Sequence, residues 1–325
     1  MKKKILISLL FGALFIYLAF KNTNWKEALS VLKSAHYFYV IPTSLLTILI
    51  IYLRSWRWGG ILTPLKKIDP WSLFSITMIG FMAIDLLPIR MGEFARPYLI
   101  SQKSGIKLSS SLATILIERI YDLFSLVVIL MLVLLFVTLP PWVFRAGLII
   151  IVVILPLIIL LTIMMIKKES SLKMIDIFIS KLPSSISLRV RGIIPSFLDG
   201  LEMLPDLKRS LSVAFISLLI WAVNGIAIYV LFFSFGFHLP IIAAYVALVM
   251  IALGLVLPAA PGFVGNFHFF CALGLVLFGI PKTQALTFAI LLHFTQFVPV
   301  IICGLLLLPF YKVSLPFLLQ DRKKV

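Results

Sequence analysis

Residues 147–166 run from a glycine to an isoleucine without one charged side chain. A bilayer core about 30 Å thick takes roughly 17–25 helical residues to cross. Lipid offers the backbone no hydrogen-bond partners, so a crossing run of this kind is a helix. Comparable apolar runs cover 5–20, 37–53, 211–233 and 283–310, and a sixth, 112–138, carries charges in its first half. The first follows Met1-Lys2-Lys3-Lys4 as a signal peptide would, but Lys21-Asn22-Thr23-Asn24 and no A-x-A site come after it. It reads as an uncleaved first span. Hydrophobic residues make up 62% of the chain and charged ones only 13%, against about 25% in soluble domains. That excludes a soluble globular or a disordered protein. The net charge of +17 comes from bases that flank the apolar runs, so anionic lipid headgroups are the expected partner and nucleic acid is not. Cys271 and Cys303 lie in apolar segments, and the four histidines form no H-x-x-x-H pair. No disulfide scaffold, metal site or cofactor is expected.

Two further apolar stretches are broken. Residues 70–103 are interrupted at Leu86-Leu87-Pro88-Ile89-Arg90-Met91-Gly92-Glu93, and 240–280 at Leu257-Pro258-Ala259-Ala260-Pro261-Gly262-Phe263-Val264-Gly265. Proline removes a helical hydrogen bond and clashes with the preceding turn; glycine lets the backbone reverse. A proline-kinked span is one reading, a re-entrant hairpin the other. With two hairpins and an inner N-terminus, 23 of the 29 Lys and Arg fall on the inner side and 5 on the outer, as the positive-inside rule requires. The expected fold is therefore an all-α polytopic membrane protein with six full spans, two re-entrant hairpins and both termini cytoplasmic.

Leu87-Pro88-x-x-x-Gly92 and Leu257-Pro258-x-x-x-Gly262 repeat the same pattern 170 residues apart. Each break sits at the same place in a set of elements. Repeat A, 1–138, holds spans 5–20, 37–53 and 112–138 with hairpin 70–103. Repeat B, 147–310, holds spans 147–166, 211–233 and 283–310 with hairpin 240–280. Three crossings in the first set invert the second, an architecture common in transporters. Between the first two spans of repeat B, residues 167–210 carry Leu172, Ile175 and Phe178 among lysines, then Ile193, Phe197, Leu201 and Leu204 beside Arg189 and Arg191. Two basic amphipathic helices on the inner leaflet are expected there.

Charges inside a membrane are costly and mark functional candidates. Asp85, Arg90, Glu93 and Arg96 surround the first break; Glu118, Arg119 and Asp122 lie in span 112–138. Glu118 and Asp122, four apart, share a helix face. For Glu93, Glu118 and Asp122, a structural ion-pair network and a ligand site both remain open. Arg90, at the tip, suits an anionic ligand. The half-helices starting near Gly92 and near Gly262 to Gly265 offer N-termini that attract anions. Beyond the second tip come Asn266 and His268, and His293 and Gln296 stand where repeat A has Arg119 and Asp122. His293 reads equally as a core histidine.

The stretch from Asp85 to Arg96 resembles the N-x-L-L-P-x-R-x-G-E-x-x-R element of the flippase-like membrane family that includes the transmembrane region of lysylphosphatidylglycerol synthases. Glu118-Arg119-Ile-Tyr-Asp122 resembles its E-R-x-x-D element, and Pro258-Ala-Ala-Pro261-Gly262-Phe-Val-Gly265 its P-x-x-P-G-x-x-G element. The resemblance runs along essentially the whole chain. Asp85 departs from it, standing where asparagine is expected. The resemblance implies translocation of a phospholipid or a polyprenyl-phosphate lipid across the cell membrane. Arg90, Arg96 and Arg119 would hold the phosphate, with Asp85, Glu93, Glu118 and Asp122 orienting them. Residue 325 follows the last span closely, so the soluble aminoacyl-transferase domain of those synthases is not expected. A membrane glycosyl- or headgroup transferase and an accessory scaffold for a lipid-modifying enzyme are the alternatives. The chain shows no D-x-D motif and no nucleotide-binding P-loop. A homo-oligomer is compatible with everything above.

Overall fold

The apolar runs are helices in the computed structural model, which describes residues 2–87, 92–181 and 183–311, and no strand occurs among the described residues. In chain order they are α1 (Lys2–Phe20), α2 (Trp25–Ser34), α3 (Val40–Leu62), α4 (Pro70–Leu86), α5 (Ala95–Ser104), α6 (Leu108–Leu134), α7 (Pro141–Ile166), α8 (Lys168–Ile179), α9 (Ser184–Asp199), α10 (Leu207–Phe232), α11 (Ile241–Val256), α12 (Asn266–Val276) and α13 (Lys282–Leu307). Among the described residues, four segments are long and apolar enough to cross a bilayer unaided: Tyr37–Leu62, Pro141–Ile166, Leu207–Phe235 and Lys282–Tyr311. The chain is an all-α integral membrane protein. On α7, Leu148, Ile149, Val152, Val153, Leu155 and Ile159 are exposed, as a surface dissolved in lipid requires.

One boundary matters for function. The second span was expected to end at residue 53, with a cytoplasmic loop from Arg54 onward. Instead α3 continues to Leu62, because nothing between Leu53 and Trp58 breaks a helix. Arg54 and Arg57 are thereby carried inside the bundle. The insert 167–210 forms its two helices, α8 and α9, tied by Lys168 to Asp199 at 2.6 Å and by Arg191 to Asp176 at 2.7 Å. Leu198, Leu201, Met203 and Leu204 close onto Ile117, Ile154, Leu161 and Met165. Helix α2 was not anticipated; Asn24 caps it, accepting from the Glu27 N–H at 3.2 Å.

Both breaks obey the geometry of residues preceding proline, which are pushed out of the helical region. Leu87 has ψ 142°, Leu257 ψ 152° and Ala260 ψ 162°. After each break the chain folds back on itself. Gly80 packs against the Arg96 side chain, while Gly92, further back from α5's end, packs against the backbone of Ala83 and Ile84. Gly254 meets Phe270, and Gly274 meets Ala247. In each pair of contacts one index rises as the other falls, so α4 and α5 are antiparallel, as are α11 and α12. Gly92 permits the close approach: a Cβ there would overlap the Ile84 nitrogen. Gly262 and Gly265 have φ of 65° and 95°, which L-residues with a side chain rarely adopt. At 1.5 Å per residue, α4 and α11 reach only about 25 Å, short of a full crossing. The two breaks meet, Gly262 lying over the Asp85 carbonyl. Helix α1 backs the second break, with Gly12 against Ala260 and Ile16 against Gly265.

A charged cavity where the two helix breaks meet

Glu118 and Asp122 stand one helical turn apart on α6, and the expected shared face is realised by one side chain bridging them. Arg57 of α3 donates from Nη1 to Asp122 Oδ1 at 2.6 Å and from Nη2 to Glu118 Oε1 at 3.4 Å. Its Nη1 also donates to Ser217 Oγ of α10 at 2.9 Å. Arg57 and Glu118 are both fully buried. From the first hairpin, Arg96 Nη1 donates to Glu118 Oε2 at 2.6 Å. Arg54 and Arg119 reach the same oxygen, Asp122 Oδ2, at 3.3 and 3.6 Å. Four guanidiniums thus converge on two carboxylates. Neither Arg54 nor Arg57 was among the residues expected here. The signal was present: Leu53-Arg54-Ser55-Trp56-Arg57-Trp58 continues the α3 pattern and places the two bases three apart on one face.

This network forms one end of a cavity of about 540 Å³, within the range of roughly 300–1,000 Å³ for small-molecule sites. Arg54, Arg119, Asp122, Asp85 and Glu93 line it, together with Asn224, Trp221 and Gln296. The remaining wall is apolar: Phe81, Leu123, Leu126, Leu248, Ile251, Leu255, Val256, Phe263, Phe267 and Phe297 among others. The Trp221 indole N–H is buried without a hydrogen-bond partner. So is Arg119 Nε, whose side chain is one-third exposed. The cavity therefore holds guanidinium donors whose single carboxylate oxygen is shared, beside an apolar wall.

The residues singled out from sequence separate into groups. Glu118 and Asp122 form the ion-pair network. Arg119, Asp85 and Glu93 line the cavity with Asp122. Arg96 does not: it is 1% exposed, held by Glu118 and stacked 4.2 Å from the Trp58 ring. It was expected at a lipid phosphate; α5 folds back along α4 and turns it into the bundle, outside the cavity lining. Asp85 makes no hydrogen bond or ion pair with the described residues. Pro88 and Arg90 lie outside the described residues.

At the second break, the expected open half-helix end is filled by protein. His268 Nδ1 accepts from the Gly265 N–H at 3.4 Å, and α1 packs over Gly265. Asn266, fully buried, donates to the carbonyls of Gly254 and Pro258, both at 3.2 Å. His293 Nε2 lies 2.8 Å from the Gly262 carbonyl oxygen, so the half-buried ring packs against the turn. Gln296, one turn on, reaches the cavity.

No solved structure matches the chain. Two proteins of Methanothermobacter thermautotrophicus, each described as a UPF0104 membrane protein, are similar to it. One is 24% identical over 255 residues, 74% of this chain and 75% of the relative. The other is 27% identical over 243 residues, 71% of each. The family model described as the lysylphosphatidylglycerol synthase TM region matches residues 5–304, and so takes in both breaks, the α6 charges and the cavity they frame; the chain belongs to that family.

Proposed function

We propose that the protein carries a phosphate-bearing lipid, a phospholipid or a polyprenyl-phosphate-linked lipid, from one leaflet to the other. One observation carries the reading: a cavity at the meeting point of two broken, back-folded helix pairs presents Arg54 and Arg119 on a single shared carboxylate oxygen, next to an apolar wall. A headgroup phosphate completes the guanidinium pairing, and charge-assisted bonds of that kind are the strong ones. Asp85 and Glu93 line the same space, so a headgroup that also carries hydroxyl or ammonium donors would satisfy both signs. The apolar wall accepts the start of the hydrocarbon portion. Transport through such a site needs alternating access, which suits six spans (α1, α3, α6, α7, α10 and α13) around two re-entrant hairpins in an inverted repeat, with both termini cytoplasmic. The role is carriage rather than catalysis, in the cell membrane.

The test is translocation in proteoliposomes, with fluorescent phosphatidylglycerol followed by quenching from one side. Arg119→Ala and Arg54→Ala each remove one guanidinium from the phosphate and should slow transfer about 10- to 100-fold, as loss of a charged hydrogen bond of about 1.5–3 kcal/mol implies. A fluorescent glucosyl diacylglycerol, which keeps a polar headgroup but lacks the phosphate, should not be carried. Equal rates for both lipids, or unimpaired transfer in both variants, would overturn the reading.

A further inference from the structure

Asp85 stands in the last turn of α4, half-buried, and lines the charged cavity without a hydrogen bond or ion pair to any described residue. The other acids of the lining are engaged: Asp122 holds Arg54, Arg57 and Arg119, and Glu93 has contacts of its own. Geometry keeps the guanidiniums off Asp85. Phe81, one turn earlier on the same face of α4, has the Arg54 guanidinium carbon 5.2 Å and that of Arg96 5.6 Å from its ring centre. Both arginines stop at that ring and turn to the acids of α6. After Asp85 the helix breaks, and its carbonyl meets Gly262 of the second break. The charged groups that share the lining with Asp85 are Arg54 from α3, Arg119 and Asp122 from α6, and Glu93 from its own hairpin. Helices α10 and α11 add only uncharged side chains to that lining. From α13 comes Gln296, with His293 and the adjoining His268 behind the turn at Gly262.

We propose that Asp85 couples lipid transfer to protons: its carboxylate takes one proton from water as the phosphate enters the cavity and returns it to water as the lipid leaves. The inference rests on the phosphate reading above and adds what drives it. A phosphodiester seated at Arg54 and Arg119 is a second anion in the space that already holds the bare Asp85 carboxylate. Like charges between apolar walls repel more strongly than they do in water. A headgroup hydroxyl leaves that repulsion in place. A proton on Asp85 removes it, and turns an acceptor into a donor toward the phosphate oxygens. Phosphate binding and protonation then favour each other, and such coupling is reciprocal, so a proton gradient pulls the lipid. Ionisable groups inside membranes serve as proton relays in pumps and transporters. Here the anionic headgroup and the proton cross as a neutral pair, and the transfer does no work against the membrane potential.

Calorimetry on the full-length protein in maltoside micelles tests the coupling. The probe is short-chain phosphatidylglycerol, which has no ammonium and whose phosphodiester stays ionised throughout. Titrations in buffers of different protonation heat, from about pH 5 to about pH 9, should show up to one proton taken up per lipid bound, with affinity falling about tenfold per pH unit at the alkaline end. Asp85→Asn keeps the shape and removes the titration, so uptake should vanish and affinity should flatten across the range. Glu93→Gln and His293→Gln should keep the slope. No uptake by the unaltered protein at any pH, a slope that survives in Asp85→Asn, or one abolished equally by Glu93→Gln would overturn the proposal. Failure to bind phosphatidylglycerol at every pH defeats the phosphate reading and the coupling with it; binding without uptake defeats the coupling alone. In proteoliposomes, a gradient of one pH unit should change the initial transfer of fluorescent phosphatidylglycerol by up to about tenfold, and a potassium diffusion potential alone should leave it unchanged. Transfer that answers to the potential and not to the pH gradient would count against Asp85 equally.

Discussion

Replacing Arg57 by methionine keeps most of the side-chain volume and removes the guanidinium that joins α3, α6 and α10. The loss comprises bonds to Asp122 at 2.6 Å, Glu118 at 3.4 Å and Ser217 at 2.9 Å, all in a site closed to solvent. Breaking a buried pair costs roughly 3–5 kcal/mol when the remaining charge is left alone. Neither acid is left alone here. Glu118 retains Arg96 at 2.6 Å, and Asp122 retains Arg54 and Arg119 at 3.3 and 3.6 Å. The expected destabilisation is therefore at the lower edge, about 3 kcal/mol. Arg119→Met is the control. It removes one long, partly exposed ion pair and should cost about 0–1 kcal/mol. Equilibrium unfolding in mixed detergent micelles, followed by tryptophan fluorescence, measures both. A double-mutant cycle of Arg57→Met with Asp122→Asn should show a coupling of about 1.5–3 kcal/mol. Coupling below about 0.5 kcal/mol, or equal costs for Arg57→Met and Arg119→Met, would refute the assignment of Arg57 to structure and Arg119 to ligand.

Gly92→Leu places a Cβ into the backbone of Ala83 and Ile84; it should cost about 1–3 kcal/mol and abolish transport while the protein still inserts, checked by size-exclusion profile beside the liposome assay. Single cysteines at Ser104 and Lys181, in a background without Cys271 and Cys303, should react with membrane-impermeant reagents only from the cytoplasm, and those at Pro140 and Gly236 only from outside; outside labelling at Ser104 would remove the first re-entrant hairpin. Asp69 caps α4 by accepting from the Ser72 N–H at 2.8 Å, and its hydrogen bonds from Ser72 hold its carboxyl below the ordinary range. A carboxyl depressed on folding contributes in full above the unfolded value of about 3.9 and loses that contribution as pH falls through the folded value. Asp69→Ala should therefore cost about 1 kcal/mol at neutral pH and progressively less below pH about 3.9, read as melting temperature against pH.

The amino-acid sequence by itself determined the membrane class, most helix positions and both breaks. The reasons are local: lipid makes the length of an apolar run decisive, while proline and glycine act on the backbone where they stand. Pro258 and Gly262 mark a turn whatever packs around it. The Glu118–Asp122 spacing was likewise legible, since it needs only the helical repeat. Which charges meet was not local. Arg57 and Asp122 are 65 residues apart, and pairing them required α3 to continue past residue 53 and to lie against α6. Arg96 looked like a tip residue at the headgroup, yet the back-folding of α5 along Gly80 buries it on Trp58. The charged cavity belongs to no segment of the chain. It is the space left between helices that cannot pack closer, and only the tertiary structure decides where that space falls and which side chains border it.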